Sequence, residues 1–328
     1  MNRLHQVLIG VLVVQLVLIG VVFWPRNGGA AAAGVPLFGQ INATDISTIT
    51  ISNAQSSVKF VRQGDKWVLP DAGDFPADAT KLSPLAEKLA AAKTDRLITR
   101  TADSLKRLQV ADDTYNSKID FTTSAGASHT LYLGASAGGG ATYVRVAGQN
   151  EVYQSADIQG YSITPDVSTW INPVYVSATP DDIVGLTVKN AGGENVFTKD
   201  AQGKWQMQGL AAGEQVNDNN VTSIATQLTS LSMSRPLGKT DDAAYGLAQP
   251  LAVVTFTTKS NNKTTTLTVG AKDPKDNTYV VKSSDSEYYV RVADYTMTTI
   301  VERKRAEFLV QPTPTPGPAA APTATPAQ

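Results

Sequence analysis

The segment Asp45-Ile46-Ser47-Thr48-Ile49-Thr50-Ile51 returns about 137 residues later as Asp182-Ile183-Val184-Gly185-Leu186-Thr187-Val188. A repeat of this period reads as two copies of one domain. Apolar residues alternate in both segments, which gives a strand with one face buried. Next come Gln63-Gly64-Asp65-Lys66-Trp67 and Gln202-Gly203-Lys204-Trp205. The glycine suits a tight hairpin turn and the tryptophan opens the return strand. Because each tryptophan holds one place in two copies, it reads as a core plug rather than a ligand platform.

A helix follows in each copy. Leu82, Leu85, Leu89 and Ala92 match Val221, Ile224, Leu228 and Leu231, at spacings that make one apolar stripe. Asn217 or Asp218 can cap the second helix. Pro84 lacks the N–H that a helix interior needs, so the first helix is expected to start near Lys81 to Ser83 or to kink there. Arg96-Leu97-Ile98 and Arg235-Pro236-Leu237 read as short extended links. The rest of each copy is a β-meander: Lys118–Thr123, Thr130–Leu133, Thr142–Val146 and Glu151–Gln154, then Ala252–Thr258, Thr264–Val269, Thr278–Lys282 and Glu287–Val292. Leu133-Gly134 and Val269-Gly270 are expected to end equivalent strands. Asp294 can cap a last helix, with a less regular counterpart over Ala156 to Trp170.

The predicted fold class is therefore α+β. It comprises two tandem homologous domains, 41–175 and 176–310, each a mostly antiparallel meander with one main helix. A single N-terminal transmembrane helix precedes them. Val7 to Trp24 is eighteen residues without a charge, with Gln15 as its one polar side chain. At about 1.5 Å per residue this run just crosses a hydrocarbon core of about 30 Å. Arg3 precedes it and Arg26 follows it; the free amine tips the balance so that 1–26 is a cytoplasmic stub and anchor. The bulk of the chain is then extracytoplasmic on a single-pass cell-membrane protein. The alternative is a cleaved signal peptide, since Ala30-Ala31-Ala32-Ala33-Gly34 supplies small residues, although cleavable apolar regions normally run about 7–15 residues. Residues 27–40 read as a flexible spacer and 311–328 as a disordered Pro/Thr/Ala-rich tail.

Composition removes several function classes. Lys plus Arg number 28 against 29 Asp plus Glu, so the balance gives no nucleic-acid footprint. The absence of cysteine excludes disulfides, thiolate metal sites, cysteine nucleophiles and a bacterial lipoprotein anchor. Only His5 and His129 exist, and His5 adjoins the apolar run, so any histidine-based triad or metal site would rest on His129 alone.

With these patterns in place, the chain resembles the family catalogued as domain of unknown function 4340. The resemblance rests on the Asp-Ile-x-x-Ile strands at Asp45 and Asp182, the Gly-x-Trp hairpin and the leucine-striped helix. The most family-like piece is Tyr245-Gly246-Leu247-Ala248-Gln249-Pro250 leading into Val253-Val254-Thr255-Phe256. The first copy, Leu108-Gln109-Val110-Ala111-Asp112-Asp113, lacks both the glycine and the proline. The resemblance spans about 45 to 310 and implies a bacterial membrane-anchored protein. Several members are similar to proteins associated with ABC-type transport systems of the gliding-motility type. It brings no catalytic residues to carry over.

No residue is assigned to catalysis, a cofactor or a metal. The paired acids Asp112-Asp113, Asp181-Asp182 and Asp241-Asp242 lack calcium-loop spacing and read as caps and turns. His129 is expected to face solvent, and Gly138-Gly139-Gly140 to form a loop rather than a phosphate cradle. Interaction residues are sought among the tyrosines of the last strands, where alternation would bury one of Tyr288 and Tyr289 and expose the other. Arg303-Lys304-Arg305 forms a basic cluster on the last helix, a solvated face or a contact for anionic lipid or an acidic partner. Gln15 marks a helix–helix contact or faces lipid. The expected partners are the bilayer, through Val7–Trp24, and membrane transporter subunits; no cofactor is expected, and a small-molecule ligand is left open. The expected function is a non-enzymatic, membrane-anchored extracytoplasmic accessory or scaffold protein. The alternative is a cell-surface glycan- or cell-wall-binding module.

Overall fold

The computed structural model describes residues 34–311. The run Val7–Trp24, Gln15 within it, and the tail from 312 onward lie outside the described residues. Among the described residues, no helix is long and apolar enough to cross a membrane. The fold is α+β with mostly antiparallel strands. It divides into two compact units, one of residues up to 57 together with 83–165, the other of 58–82 together with 166 onward.

In chain order the first elements are β1 (Ile46–Ser52), β2 (Ser57–Gln63), β3 (Lys66–Leu69), β4 (Phe75–Pro76), α1 (Ala79–Ala91), β5 (Arg96–Thr99) and α2 (Ala102–Arg107). They are followed by β6 (Ser117–Thr123), β7 (Ser128–Gly138), β8 (Ala141–Val146) and β9 (Val152–Ser155). The first unit is an antiparallel sheet in the order β1-β6-β7-β8-β9-β5. Alternation in β1 and β6 sends Ile49, Ile51, Ile119 and Phe121 into its core, and a register shift between Ile46 and Thr48 brings Ile46 to the same face; all five are essentially inaccessible.

The second unit adds β10 (Val174–Ser177), β11 (Ile183–Asn190), β12 (Gly193–Lys199), β13 (Trp205–Met207), α3 (Asp218–Thr229), β14 (Ser230–Ser232) and β15 (Arg235–Gly238). Then come β16 (Ala252–Thr258), β17 (Thr264–Asp273), β18 (Thr278–Ser283), β19 (Tyr289–Ala293) and α4 (Asp294–Glu302). Its main sheet runs β13-β12-β11-β16-β17-β18-β19-β15, and β10 pairs with β14 beside it. Removing the β12–β13 hairpin leaves β11-β16-β17-β18-β19-β15, the strand order of the first unit. Residues 58–82 run from β2 into the start of α1 in the first copy of the repeat, yet pack within the second unit. There Phe60 lies 5.9 Å from Trp170, and the Asp78 N–H donates to Trp170 O at 2.7 Å.

Both hairpin tryptophans are core residues, Trp67 at 1% and Trp205 at 3% exposure. Gly64 and Gly203 turn their hairpins with φ of 63° and 79°, the left-handed region that glycine enters freely. A cation from the preceding strand covers each indole: Arg62 over Trp67 at 4.7 Å and Lys199 over Trp205 at 5.0 Å. The apolar stripes of both helices are buried as their spacing requires. Asn217 caps α3 by accepting from the Asn220 N–H.

Four expectations change. Helix α1 begins at Ala79 and runs through Pro84, because the Asp78 carboxylate accepts from the Thr80 N–H and hydroxyl and holds the first turn. The links at Arg96 and Arg235 are edge strands, β5 on β9 and β15 on β19. The counterpart of α4 in the first copy is two short 3-10 turns, Gly160–Ser162 and Val167–Trp170.

Strands β7 and β17 also run past Gly134 and Gly270, each with a register shift next to the glycine. At both glycines the backbone of a preceding turn presses on the strand. A Cβ on Gly134 would lie 2.1 Å from Leu108 O, and one on Gly270 would lie 2.0 Å from Tyr245 O. The turns themselves match: Gly246 has φ 67° and Gln109, its counterpart without the family glycine, has φ 57°. Gln109 thus adopts a left-handed conformation that disfavours a side chain by about 1–2 kcal/mol.

Gly270→Ala is expected to lose about 3 kcal/mol in urea unfolding, the upper end for overpacking. Gln109→Gly is expected to gain up to about 1 kcal/mol by relieving the left-handed residue. Equal stability of Gly270→Ala and the parent would show that the turn does not press on β17.

Candidate functional site

The basic trio lies beyond the helix, since α4 ends at Glu302 and the chain then extends into a 3-10 turn over Arg305–Phe308. The Arg303 Nη1 donates to Asn220 O at 2.9 Å and its guanidinium covers the Phe308 ring at 5.7 Å. Arg305 donates to Gly209 O at 3.0 Å and pairs with Glu214. Between them the two arginines tie the 303–308 segment to α3 and to the 207–214 loop. Lys304 is exposed, and its backbone N–H donates to the Glu307 carboxylate at 2.8 Å. An open groove of about 700 Å³ runs along this segment between Gly192, Thr298, Glu302 and Lys304. Glu214, Glu302 and Glu307 offset the three cations nearby, so the trio does not make a bare basic patch.

Tyr288 and Tyr289 are both half-buried, in place of one buried and one exposed. The reason is that β19 starts at Tyr289, so Tyr288 lies outside the pleat. The Tyr288 hydroxyl donates to Asp74 O at 3.2 Å and its ring packs edge-on against Phe75 at 4.8 Å. Lys239 sits 4.9 Å from that ring and pairs with Glu287 at 2.7 Å. Tyr289 packs between Tyr245 and Lys282. Both tyrosines serve internal packing.

His129 lies within β7 and is half-buried, because its imidazole stacks on Phe121 at 5.0 Å. Gly138, Gly139 and Gly140 all have positive φ and join β7 to β8, as a loop requires. The acid pairs are structural partners. Asp182 accepts from the Ser260 N–H and hydroxyl, Asp242 from the Ala244 N–H, and Asp113 from Lys106 at 2.7 Å. Asp112 pairs with Arg145, which is 3% exposed, donates to Val110 O and Gln149 O, and covers the Tyr132 ring at 4.6 Å. Among the described residues no group of three or more His, Asp or Glu is placed to hold a metal ion.

A polar cleft of about 480 Å³ lies at one end of the second unit's sheet, with Asp182, Asn261, Lys263, Thr265 and Asp285 in its lining. The sequence shows these residues only as separate turn-formers around Ser260-Asn261-Asn262 and Ser283-Ser284-Asp285. Their convergence depends on β17 carrying one turn to the next, and no local spacing signals it. Burial alone would push the Asp285 carboxyl up. The Thr265 hydroxyl and the Lys263 ammonium together hold it below the ordinary carboxylate range. The Tyr175 hydroxyl, pushed up by burial, donates to Tyr288 O at 2.7 Å and accepts from the Ser283 N–H at 2.8 Å.

The family model described as a domain of unknown function, DUF4340, matches residues 67–250 and 211–311. The chain belongs to this family. The two matched segments overlap, consistent with tandem copies, and together they take in the second Gly-x-Trp hairpin and the Tyr245–Pro250 turn. No curated protein and no solved structure matches the chain.

Arg145→Met is expected to lose about 1–3 kcal/mol in urea unfolding, because the buried Val110 carbonyl loses its donor. Acid should also destabilise the fold. The Arg145 hydrogen bond lowers the Asp112 pKa, and the Thr298 hydroxyl lowers that of Asp294; Asp285 is lowered as well. Carboxyls with depressed folded values add stability above their unfolded pKa of about 3.9 and lose it as pH falls through the folded values. The thermal midpoint should be level from pH 7 to about 5 and fall below about 4. A midpoint that rises on acidification would contradict this.

Proposed function

We propose that this chain is a membrane-tethered extracytoplasmic accessory protein of an ABC-type transport system, without a catalytic role of its own. The observation that carries the reading is an uncharged eighteen-residue apolar run followed by two copies of one domain. A tether of that kind keeps a binding domain at the membrane and raises its effective concentration for a membrane partner. Duplication supplies two related surfaces from one chain. The charged groups that draw attention in the sequence are tied down rather than poised for proton transfer: Arg303, Arg305, Asp112 and Asp182 all make internal bonds. The resemblance to proteins associated with ABC-type systems supplies the class of partner.

The full chain should remain with membranes after an alkaline carbonate wash and should co-purify in mild detergent with a permease or ATPase subunit. Recovery in the wash would overturn the tether. Retention in the membrane without any transport subunit would overturn the accessory role.

A further inference from the structure

The two copies of the repeat differ at one corresponding place. In the first unit Phe38 precedes the start of β1 by eight residues. Its ring packs edge-on against Phe121 at 5.0 Å and against His129 at 5.3 Å. Phe121 and His129 are cross-strand partners on β6 and β7, and their rings stack. Three rings thus fill that end of the sheet. In the second unit Tyr175 precedes the start of β11 by eight residues, and Phe256 pairs across β16 and β17 with Thr265. A threonine stands where the first copy has an imidazole, and the polar cleft opens at this place.

We propose that this cleft binds a neutral saccharide. Its polar groups are fixed in advance. Asp182 is held by the Ser260 N–H at 2.9 Å and the Ser260 hydroxyl at 2.5 Å. Asp285 Oδ2 accepts from the buried Thr265 hydroxyl at 2.6 Å and pairs with Lys263 at 3.0 Å. Asn261 Oδ1 accepts from the Thr258 hydroxyl at 2.7 Å and the Lys263 N–H at 3.0 Å. That leaves the Asn261 NH₂ and the ammonium N–H groups of Lys263 not directed at Asp285 as donors, and spare carboxylate lone pairs as acceptors. Vicinal sugar hydroxyls both donate and accept, which is the pattern such a lining satisfies. An apolar ligand would strip water from two carboxylates without replacing it.

Charge selects among polar ligands. Two carboxylates against one ammonium leave the cleft with a net negative charge, which opposes phosphates and sugar acids. Because the Tyr175 hydroxyl is spent on Tyr288 O and the Ser283 N–H, Tyr175 offers the cleft ring carbon rather than a donor. The volume lies within the roughly 300–1,000 Å³ of small-molecule sites and suits one or two sugar rings. This site gives a place to the glycan-binding alternative of the sequence and is independent of the accessory role. A chain that co-purifies with transport subunits and binds no sugar would defeat this inference alone.

The test is titration calorimetry on the full chain in lipid nanodiscs made without glycoside detergent. The ligands are glucose, galactose, N-acetylglucosamine and lactose, against glucuronate and glucose 6-phosphate. At least one neutral sugar should bind with Kd of about 1 mM or tighter, and the anionic sugars at least about tenfold more weakly. Asp285→Asn and Thr265→His should each weaken binding about tenfold or more. Lys263→Met changes an exposed residue and guards against loss of folding; it should weaken binding while lowering the thermal midpoint by no more than the loss of one exposed ion pair, about 3 °C or less. Absence of neutral-sugar binding, a preference for the anionic sugars, or unchanged affinity in both Asp285→Asn and Lys263→Met would overturn the proposal.

Discussion

Each copy of the repeat depends on one close approach of backbone to backbone. The carbonyl of Leu108 in the first copy, and of Tyr245 in the second, presses on a strand where only glycine leaves room, at Gly134 and Gly270. In the first copy the Ala135 N–H donates to that carbonyl at 3.0 Å, so the contact also satisfies the backbone group it buries. The pairing register shifts next to each glycine, and the strand continues beyond it. The long strands β7 and β17, which carry the meander outward on both sides, are therefore organised around a contact that any side chain would block. That Gln109 accepts a left-handed backbone in the first copy shows how firmly the surrounding packing imposes the turn.

With the frame repeated, the two copies were free to differ at their periphery. One end of the first sheet is filled by Phe38, Phe121 and His129, whereas the corresponding end of the second carries Thr265, Asp285 and Lys263 around an open cleft. The aromatic filling buries apolar surface and adds to stability. The polar lining keeps charged groups hydrogen-bonded and accessible, as the proposed saccharide site requires. The residues most conspicuous in the sequence went the other way: Tyr288 holds Asp74 and Phe75, and Arg303 and Arg305 brace the segment after α4.

Much of the fold was legible because strands and helices announce themselves by period. The alternation of Ile46, Ile49 and Ile51, the spacing of Val221, Ile224 and Leu228, and the glycine before each hairpin tryptophan all act locally. Where reading failed, a distant partner decided. Pro84 argued for a late start to α1, but the Asp78 carboxylate secures a turn that propensity alone would leave open. His129 looked solvent-facing because nothing in the sequence indicates that Phe38, about ninety positions earlier, packs against it beside Phe121. The basic trio looked like a helical face because composition does not show where Phe308 docks or that Glu214 lies beside Arg305; the buried ring is covered by Arg303, and Glu214 and the Gly209 carbonyl hold Arg305.

The sequence by itself determined the duplication, the α+β class, the apolar run and the absence of cysteine chemistry, since each is a property of residue type and spacing along the chain. Only the tertiary structure decided which polar groups meet. Asp182, Asn261, Thr265 and Asp285 lie up to about a hundred positions apart, and three of them sit in or beside turns. Antiparallel pairing of β11, β16, β17 and β18 gathers them at one end of a sheet. Register is a cooperative property of whole strands, set by which faces are buried, so no single residue's chemistry could have announced that meeting.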